Sequence, residues 1–296
     1  MSVLKRVVRR AVNALGYDIS RIPGDEDVSD IDLYYELYGN AVVESRSFYN
    51  IGAGDFRHPA WTNVDHRSDW YAEVQGDRIG IDWDLLSLTP LPVADDCAEV
   101  VYSSHTVEHV TDRAAANMFK EAHRILKKGR VFRVTSPNVD LALRAYRGND
   151  RHYFYWIGAN STPEAMQRVK LVTPLSDASL QQILLWHFAA TASILHADGS
   201  PERIDDEEFD RVFRELPCEE ALDYCVSKCS LEVQRRYPGN HVNWWNPRKA
   251  SRMLKAAGFA EVEVSAYGQS RVPVLRNTAL FDSTNPKVSF HIEAIK

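Results

Sequence analysis

Along the first half of the chain, short apolar runs alternate with polar turns. Phe48, Tyr49 and Ile51 carry a short strand over Ser47–Ile51 that stops at a glycine turn. Trp61–Val64 reads as a second strand, ending at Asp65, and Arg78–Ile81 as a third, followed by the acidic turn Asp82-Trp83-Asp84. Ala98–Tyr102 follows the turn residues Asp95-Asp96 as a fourth strand, and Val131–Thr135, closed by Pro137, is a fifth. Between the last two, Phe119, Ala122, Ile125 and Leu126 recur at helical spacing. Thr111 or Asp112 can cap that helix, and Lys127-Lys128-Gly129 reads as its stop, with cations at the C-terminal end and glycine beyond. Strand, helix and strand in alternation predict a parallel α/β sheet.

From about Asp140 to Gly239 the pattern becomes helical, aromatic and polar, with Ser179–Leu195 and Asp205–Leu216 as the strongest helices. The α/β pattern resumes where Asn246-Pro247 opens a helix that stops at Gly258, and Glu261–Ala266 and Val288–Ala294 follow as strands. This predicts one domain in two parts, 31–139 and 241–296, interrupted by a helical insertion over 140–240 that serves as a substrate cap or interface. Residues 31–45 read as one helix. In front of it, residues 1–30 hold an amphipathic helix and a linker containing Pro23-Gly24. Over 2–16, Val3, Leu4, Val7, Val8, Ala11, Val12 and Leu15 oppose Lys5, Arg6, Arg9 and Arg10. A helix packed on the domain is the default for this stretch. A helix lying on an anionic membrane surface is the alternative.

Composition narrows the function classes. The chain has 296 residues, 45% hydrophobic and 26% charged, as an ordinary globular protein does. A net charge of -6 argues against a nucleic-acid partner, and no apolar run reaches the length of a membrane span. These features point to a cytoplasmic protein, with peripheral contact at the inner face of the membrane as an option through residues 2–16. A homo-oligomer is left open. The cysteines Cys97, Cys218, Cys225 and Cys229 form no disulfide framework. Cys225, Cys229 and His241 lack the second close pair of a structural zinc site, so buried free thiols are expected. The third cysteine of an iron–sulfur triad would stand at 232, where there is Glu232. No spacing of His, Asp and Glu suggests a metal, so metal independence is expected.

The candidate chemistry sits at strand ends. Asn50-Ile51-Gly52-Ala53-Gly54 closes the first strand, where glycines let the backbone approach a ligand. Asp65 ends the second strand, where a carboxylate can accept from both ribose hydroxyls, and Asp84 follows the third. Ser103-Ser104-His105 follows the fourth. Ligands of such sheets bind at the carboxyl ends of the strands, so the four positions converge. In this order the stretch Asn50–Asn138 resembles small bacterial S-adenosylmethionine-dependent methyltransferases of class I. The resemblance is carried by Asn50 to Gly54, Asn63-Val64-Asp65, Asp84-Leu85, Leu91-Pro92, Ser104-His105-Thr106-Val107-Glu108-His109, Arg124 to Gly129 and Ser136-Pro137, with Ala257-Gly258-Phe259 near the end of the chain.

The resemblance implies a Rossmann-like, seven-stranded methyltransferase sheet whose last strand runs antiparallel. S-adenosylmethionine (SAM) would lie across Gly52, Ala53 and Gly54, with ribose on Asp65, adenine near Asp84 and Leu85, and methionine near Asn50 and Ser103. Two departures stand out. Asn50 replaces the acid common in the wider superfamily, and Gly54 and Asp65 are too close for a normal crossover helix. That helix must be missing or reduced to a turn, with other segments covering its side of the sheet. A dinucleotide-binding reading fails for the same reason.

Methyl transfer to a hydroxyl or amine needs a base. His105 is the first candidate, and His241 the second, within His241-Val242-Asn243-Trp244-Trp245, whose aromatics and amides would suit a sugar ring. The default for that second cluster is a packed hinge. His187 and His196 are expected to be surface or core residues, and Arg271–Arg276 a solvated loop. The leading expectation is O-methylation of a sugar hydroxyl in bacterial surface-polysaccharide biosynthesis, with a glycan or small molecule as acceptor. A small-molecule O- or N-methyltransferase of secondary metabolism and a non-catalytic SAM-binding partner subunit are the alternatives.

Overall fold

The computed structural model describes residues 30–296, so the basic amphipathic stretch 2–16 and most of its linker lie outside the described residues. Strands β1 (Phe48–Ile51), β2 (Trp61–Asp65), β3 (Ile81–Asp82), β4 (Ala98–Ser104), β5 (Leu126–Pro137), β6 (Glu261–Ser265) and β7 (Ser289–Ile295) form one sheet in the order β3-β2-β1-β4-β5-β7-β6. The first five strands pair in parallel, and β7 runs antiparallel to both β5 and β6. This is the Rossmann-like, seven-stranded methyltransferase sheet that the resemblance implies. The strand order reverses between β1 and β4, which places the ligand crevice at their carboxyl ends.

Helices cover both faces. On one side, α4 (Asp112–Ile125) and α11 (Pro247–Ala256) pack Phe119, Ile125, Ala250 and Leu254 against β4, β5 and β7. Thr111 caps α4 by accepting from the Ala114 N–H, and Asn246 caps α11 by accepting from the Lys249 N–H. On the other side lie the short helices α1 (Ile31–Tyr38) and α2 (Asn40–Glu44), where the single predicted helix breaks at Gly39 with φ of 77°; the single turn α3 (Ala72–Gln75) links β2 to β3.

The β1–β2 link, residues 52–60, contains no helix. The face that such a helix would cover is filled by an aromatic cluster. Phe281 lies 5.5 Å from Phe56 and 5.1 Å from Trp61, and the Trp61 indole donates to the Tyr34 hydroxyl at 2.7 Å. The segment before β7 therefore covers the side that the missing helix leaves open. Its Arg271–Arg276 stretch is correspondingly not a solvated loop. Val272, Val274 and Leu275 are buried, Arg271 pairs with Glu261 and Glu263, and Arg276 donates to the Ser270 carbonyl.

The Lys127-Lys128-Gly129 helix stop is also displaced. Helix α4 ends at Ile125 and runs directly into β5, where residues 127–130 bulge between the register pairs Ala98↔Leu126 and Val100↔Val131. Lys127 and Arg130 turn there to Glu99, a buried carboxylate of β4.

Between β5 and α11, the insertion contains α5 (Val139–Arg147), α6 (Pro163–Val169), α7 (Leu180–Ala189), α8 (Asp206–Glu215), α9 (Cys218–Ser227) and α10 (Leu231–Arg236). They share a core around Phe154, Leu184, Phe188, Phe209 and Trp244. All four cysteines are free thiols, and burial pushes Cys229 up to about 11. No helix among the described residues is long and apolar enough to cross a membrane.

His196 is fully buried in this insertion, with Nε2 3.1 Å from the Asn240 amide nitrogen. Burial pushes its pKa down to about 4, against Asp198 and with Arg203 and Lys170. A histidine held neutral in the native state contributes full stability above its unfolded value near ~6.5, and that contribution is lost as pH falls towards about 4. Replacing His196 with glutamine is therefore expected to flatten the acid limb of a urea-stability profile. The difference from wild type between pH 6.5 and 4 should be on the order of 2 kcal/mol after allowance for partial screening. Parallel profiles for the two proteins would show that His196 carries none of the acid sensitivity.

Candidate active site

Two cavities meet at the carboxyl end of β1. The first, about 470 Å³, is walled by Asp65, Trp83, Asp84 and Leu85 from the ends of β2 and β3, and by Thr106 and His109 after β4. The second, about 810 Å³, is walled by Asn50, Ala53, Arg57, Tyr102, Ser104 and Ser283, among others. Gly52, Gly54 and His105 border both.

The glycine turn has two separate demands. Gly52 has φ of 72°, and a Cβ there would lie 2.1 Å from the Thr106 hydroxyl oxygen, so this position admits only glycine. Gly54 has φ of 55°, and a Cβ there would meet nothing within 4 Å. The backbone at Gly54 thus faces open space shared by both cavities, as a ligand cradle requires.

Asp65 is half-buried. One carboxylate oxygen accepts the Gly54 N–H at 2.8 Å and the other accepts the His66 N–H at 2.8 Å. Burial raises its pKa, and these two N–H groups pull the other way. The fixed carboxylate retains lone pairs for a diol. Asp84 accepts the Leu86 N–H at 2.8 Å, while its second oxygen lies 3.7 Å from Arg235 of α10. The helical insertion thus supplies a wall of the first cavity. Gln234 fixes that wall by donating to the carbonyls of His109 and Asn240.

Ser103, expected beside the methionine of the cofactor, does not reach that space. Strand β4 continues to Ser104, so Ser103 lies fully buried within the sheet and lines neither cavity. Ser104 and His105 are the residues that reach the second cavity. His105 takes φ of 52°, an uncommon conformation for a residue other than glycine. Its Nε2 contacts the Ser289 hydroxyl at 2.8 Å, and its Nδ1 lies 3.0 Å from Glu108 Oε1. Glu108 is almost completely buried and accepts the Ser136 hydroxyl on Oε2. Burial opposes its ionisation, but His105, His109 and His241 outweigh it and hold the carboxyl at about 2.

His241 lines neither cavity. Its ring packs against His109 with centroids 4.8 Å apart, and burial pushes its pKa down to about 3. The stacking surface expected of its neighbours is absent. Trp244 and Trp245 are buried, with the Lys249 ammonium 4.2 and 4.9 Å from their ring centres, so this segment is a packed hinge. Although no metal-ligand spacing is visible in the sequence, folding brings one donor atom each from Glu108, His109 and His241 within 4.8 Å of one another.

Residues 60–134, from β2 into β5, match the family model of a methyltransferase domain. Similar solved structures include a SAM-dependent methyltransferase from Thermotoga maritima, at 13% identity and a TM-score of 0.37, covering 90% of this chain and 95% of that one. Another, from Mesorhizobium loti, has 14% identity and a TM-score of 0.38, covering 84% and 90%. A third, from Archaeoglobus fulgidus, has 11% identity and a TM-score of 0.35, covering 90% and 100%. A comparison with curated proteins finds no match. The methyltransferase-domain match supports SAM as the cofactor of this site, and the residues present fit it. Asp65 offers a fixed carboxylate for the ribose, Trp83 and Leu85 apolar walls for adenine, and Gly54 an open backbone edge.

Proposed function

We propose that this chain is a SAM-dependent methyltransferase that methylates a hydroxyl of a sugar-like acceptor, in the cytoplasmic steps of bacterial surface-glycan biosynthesis. The observation that carries this reading is the junction of the two cavities at Gly52, Gly54 and His105. The first cavity has the acids and apolar walls for an adenosine. The second is lined by Arg57, Tyr102, Ser104, Ser283 and Thr284, polar groups that suit a hydroxylated acceptor.

The bound cofactor supplies an electrophilic methyl group. The chain's part is to align an acceptor oxygen with it and to take the proton. In this reading an acceptor hydroxyl replaces Ser289 at His105 Nε2. Glu108 on Nδ1 fixes the ring and stabilises the imidazolium formed when the proton arrives. His241 touches neither cavity and is given no proton to move.

The test uses SAM with an isotopically labelled methyl group and a panel of nucleotide sugars, lipid-linked glycans, phenols and amines, read by mass spectrometry. Label on a sugar oxygen is the expected result. Replacing His105 with alanine should lower kcat by about 10²–10⁴, with affinity for S-adenosylhomocysteine within a few-fold of wild type. Label only on amines or phenols would replace the glycan reading with the secondary-metabolite one. Tight cofactor binding with no product on any acceptor would make the chain a non-catalytic partner subunit.

A further inference from the structure

We propose that Glu108, His109 and His241 form a binding site for a divalent transition-metal ion of the zinc or manganese class. The inference rests on the donor geometry alone and stands whether or not the chain transfers methyl groups.

The tautomers point to it first. His109 Nδ1 lies 3.0 Å from the Asn240 carbonyl, and His241 Nδ1 lies 2.6 Å from the His187 carbonyl. A carbonyl only accepts, so Nδ1 carries the hydrogen in both rings, and the lone pair of each neutral imidazole is on Nε2. Metal-ligating histidines are typically fixed this way, with the far nitrogen donating to a backbone carbonyl or a carboxylate. The Asn240 carbonyl also accepts from Gln234, and the backbone of His241 is pinned where its own carbonyl accepts the Ala190 N–H just beyond α7.

The carboxylate is the second observation. Glu108 is 1% exposed, and its Oε1 has no hydrogen-bond partner apart from the His105 contact. A buried carboxylate ringed by imidazoles, with unused lone pairs, is a common way to hold a cation in a protein interior. Close by, the Nε2 of His187 is also buried without a partner, and its ring centre is 6.0 Å from that of His241. One ring nitrogen from each histidine and one Glu108 carboxylate oxygen lie within 4.8 Å of one another. Ligands of a tetrahedral ion at Zn–N distances near 2.0–2.1 Å are about 3.4 Å apart, a gap that small side-chain rotations close. Two imidazoles and one carboxylate suit zinc, manganese or ferrous iron better than magnesium or calcium, which prefer oxygen alone. His109 also lines the first cavity, so an ion here borders the space where ligands enter.

The test is calorimetric titration of chelator-stripped, full-length protein with zinc chloride and with manganese chloride, paired with thermal denaturation. About one ion per chain and a rise in Tm are expected. His109→Gln and His241→Gln should each weaken binding at least about a hundredfold, while Cys225→Ser and Cys229→Ser leave it unchanged. Cobalt substitution should give a spectrum without the thiolate charge-transfer band. Each variant is checked by circular dichroism and by S-adenosylhomocysteine affinity. A wild-type protein that binds S-adenosylhomocysteine but takes up less than about a tenth of an ion per chain overturns the proposal. So does unchanged binding in a folded histidine variant, or binding lost with the cysteines.

Discussion

Replacing Asp65 with alanine is expected to weaken S-adenosylhomocysteine binding by about 10²–10³, measured by isothermal titration calorimetry. The carboxylate ends β2 with one oxygen on the Gly54 N–H and the other on the His66 N–H. It reaches the ligand crevice already oriented, so a ribose diol meets a charged acceptor that loses little entropy on binding. Hydrogen bonds to a charged group contribute about 1.5–3 kcal/mol each, and two of them, partly offset by water, correspond to that range. Asparagine should rescue little. Its amide would set a donor against the N–H of Gly54 or His66, both of which the carboxylate now accepts. Alanine leaves those two N–H groups without a side-chain acceptor, so a urea midpoint must accompany the titration to separate lost stability from lost binding. Alanine-variant affinity within threefold of wild type would remove Asp65 from the cofactor site and, with it, the main support for a SAM-binding cavity.

The sheet was legible because its strands alternate with a single well-capped helix, and because the acids follow the strands in order. The missing crossover helix was legible from the short distance between Gly54 and Asp65. What stayed hidden depends on partners far away in the chain. The Lys127-Lys128-Gly129 segment carries the local signals of a helix stop, but the buried Glu99 of the neighbouring strand draws Lys127 and Arg130 into a bulged β5. Ser103 was misplaced because β4 runs two residues past Tyr102, and in a strand each added residue changes the face that the next side chain takes. The cluster of Glu108, His109 and His241 joins the end of β4 to the far side of a helical insertion, a closure that no local spacing encodes. The default readings did better where the chemistry was bland. His187 and His196 are core residues, and Trp244-Trp245 is a packed hinge.

Arg133 shows the same blindness at its most consequential, and it carries the largest stability prediction. No local pattern singles out this arginine inside β5, yet it is completely buried in the middle of the sheet. All five of its N–H donors are engaged. Nε and Nη2 form a fork onto Asp282 at 3.0 and 2.5 Å, Nη1 reaches Glu293 at 3.0 Å, and the remaining donors go to the carbonyls of Gln269 and Ala266. Replacing Arg133 with methionine removes the charge and leaves two buried carboxylates facing each other's field. Breaking a buried pair from one side costs about 3–5 kcal/mol, which for a domain of this size is a Tm lower by roughly 10 °C. The damage should not stop at stability. Asp282 also accepts from the Tyr102 hydroxyl and the Gly268 N–H, and it sits between Leu280 and Ser283, which line the second cavity. Loosening it should raise KM for the acceptor more than it weakens S-adenosylhomocysteine binding, because the first cavity is built from other strand ends. Combining Arg133→Met with Asp282→Leu and Glu293→Met tests the cause. Neutralising all the partners should recover much of the urea midpoint, since apolar residues can replace a buried ionic cluster at little net cost. The acceptor KM should stay high in the triple variant, because the anchor of the 279–284 segment remains absent. A single variant as stable as wild type would mean that water or a rearranged partner compensates the buried carboxylates, and that the aromatic contacts of Phe281 with Phe56, Trp61 and Tyr102 suffice to hold the segment before β7.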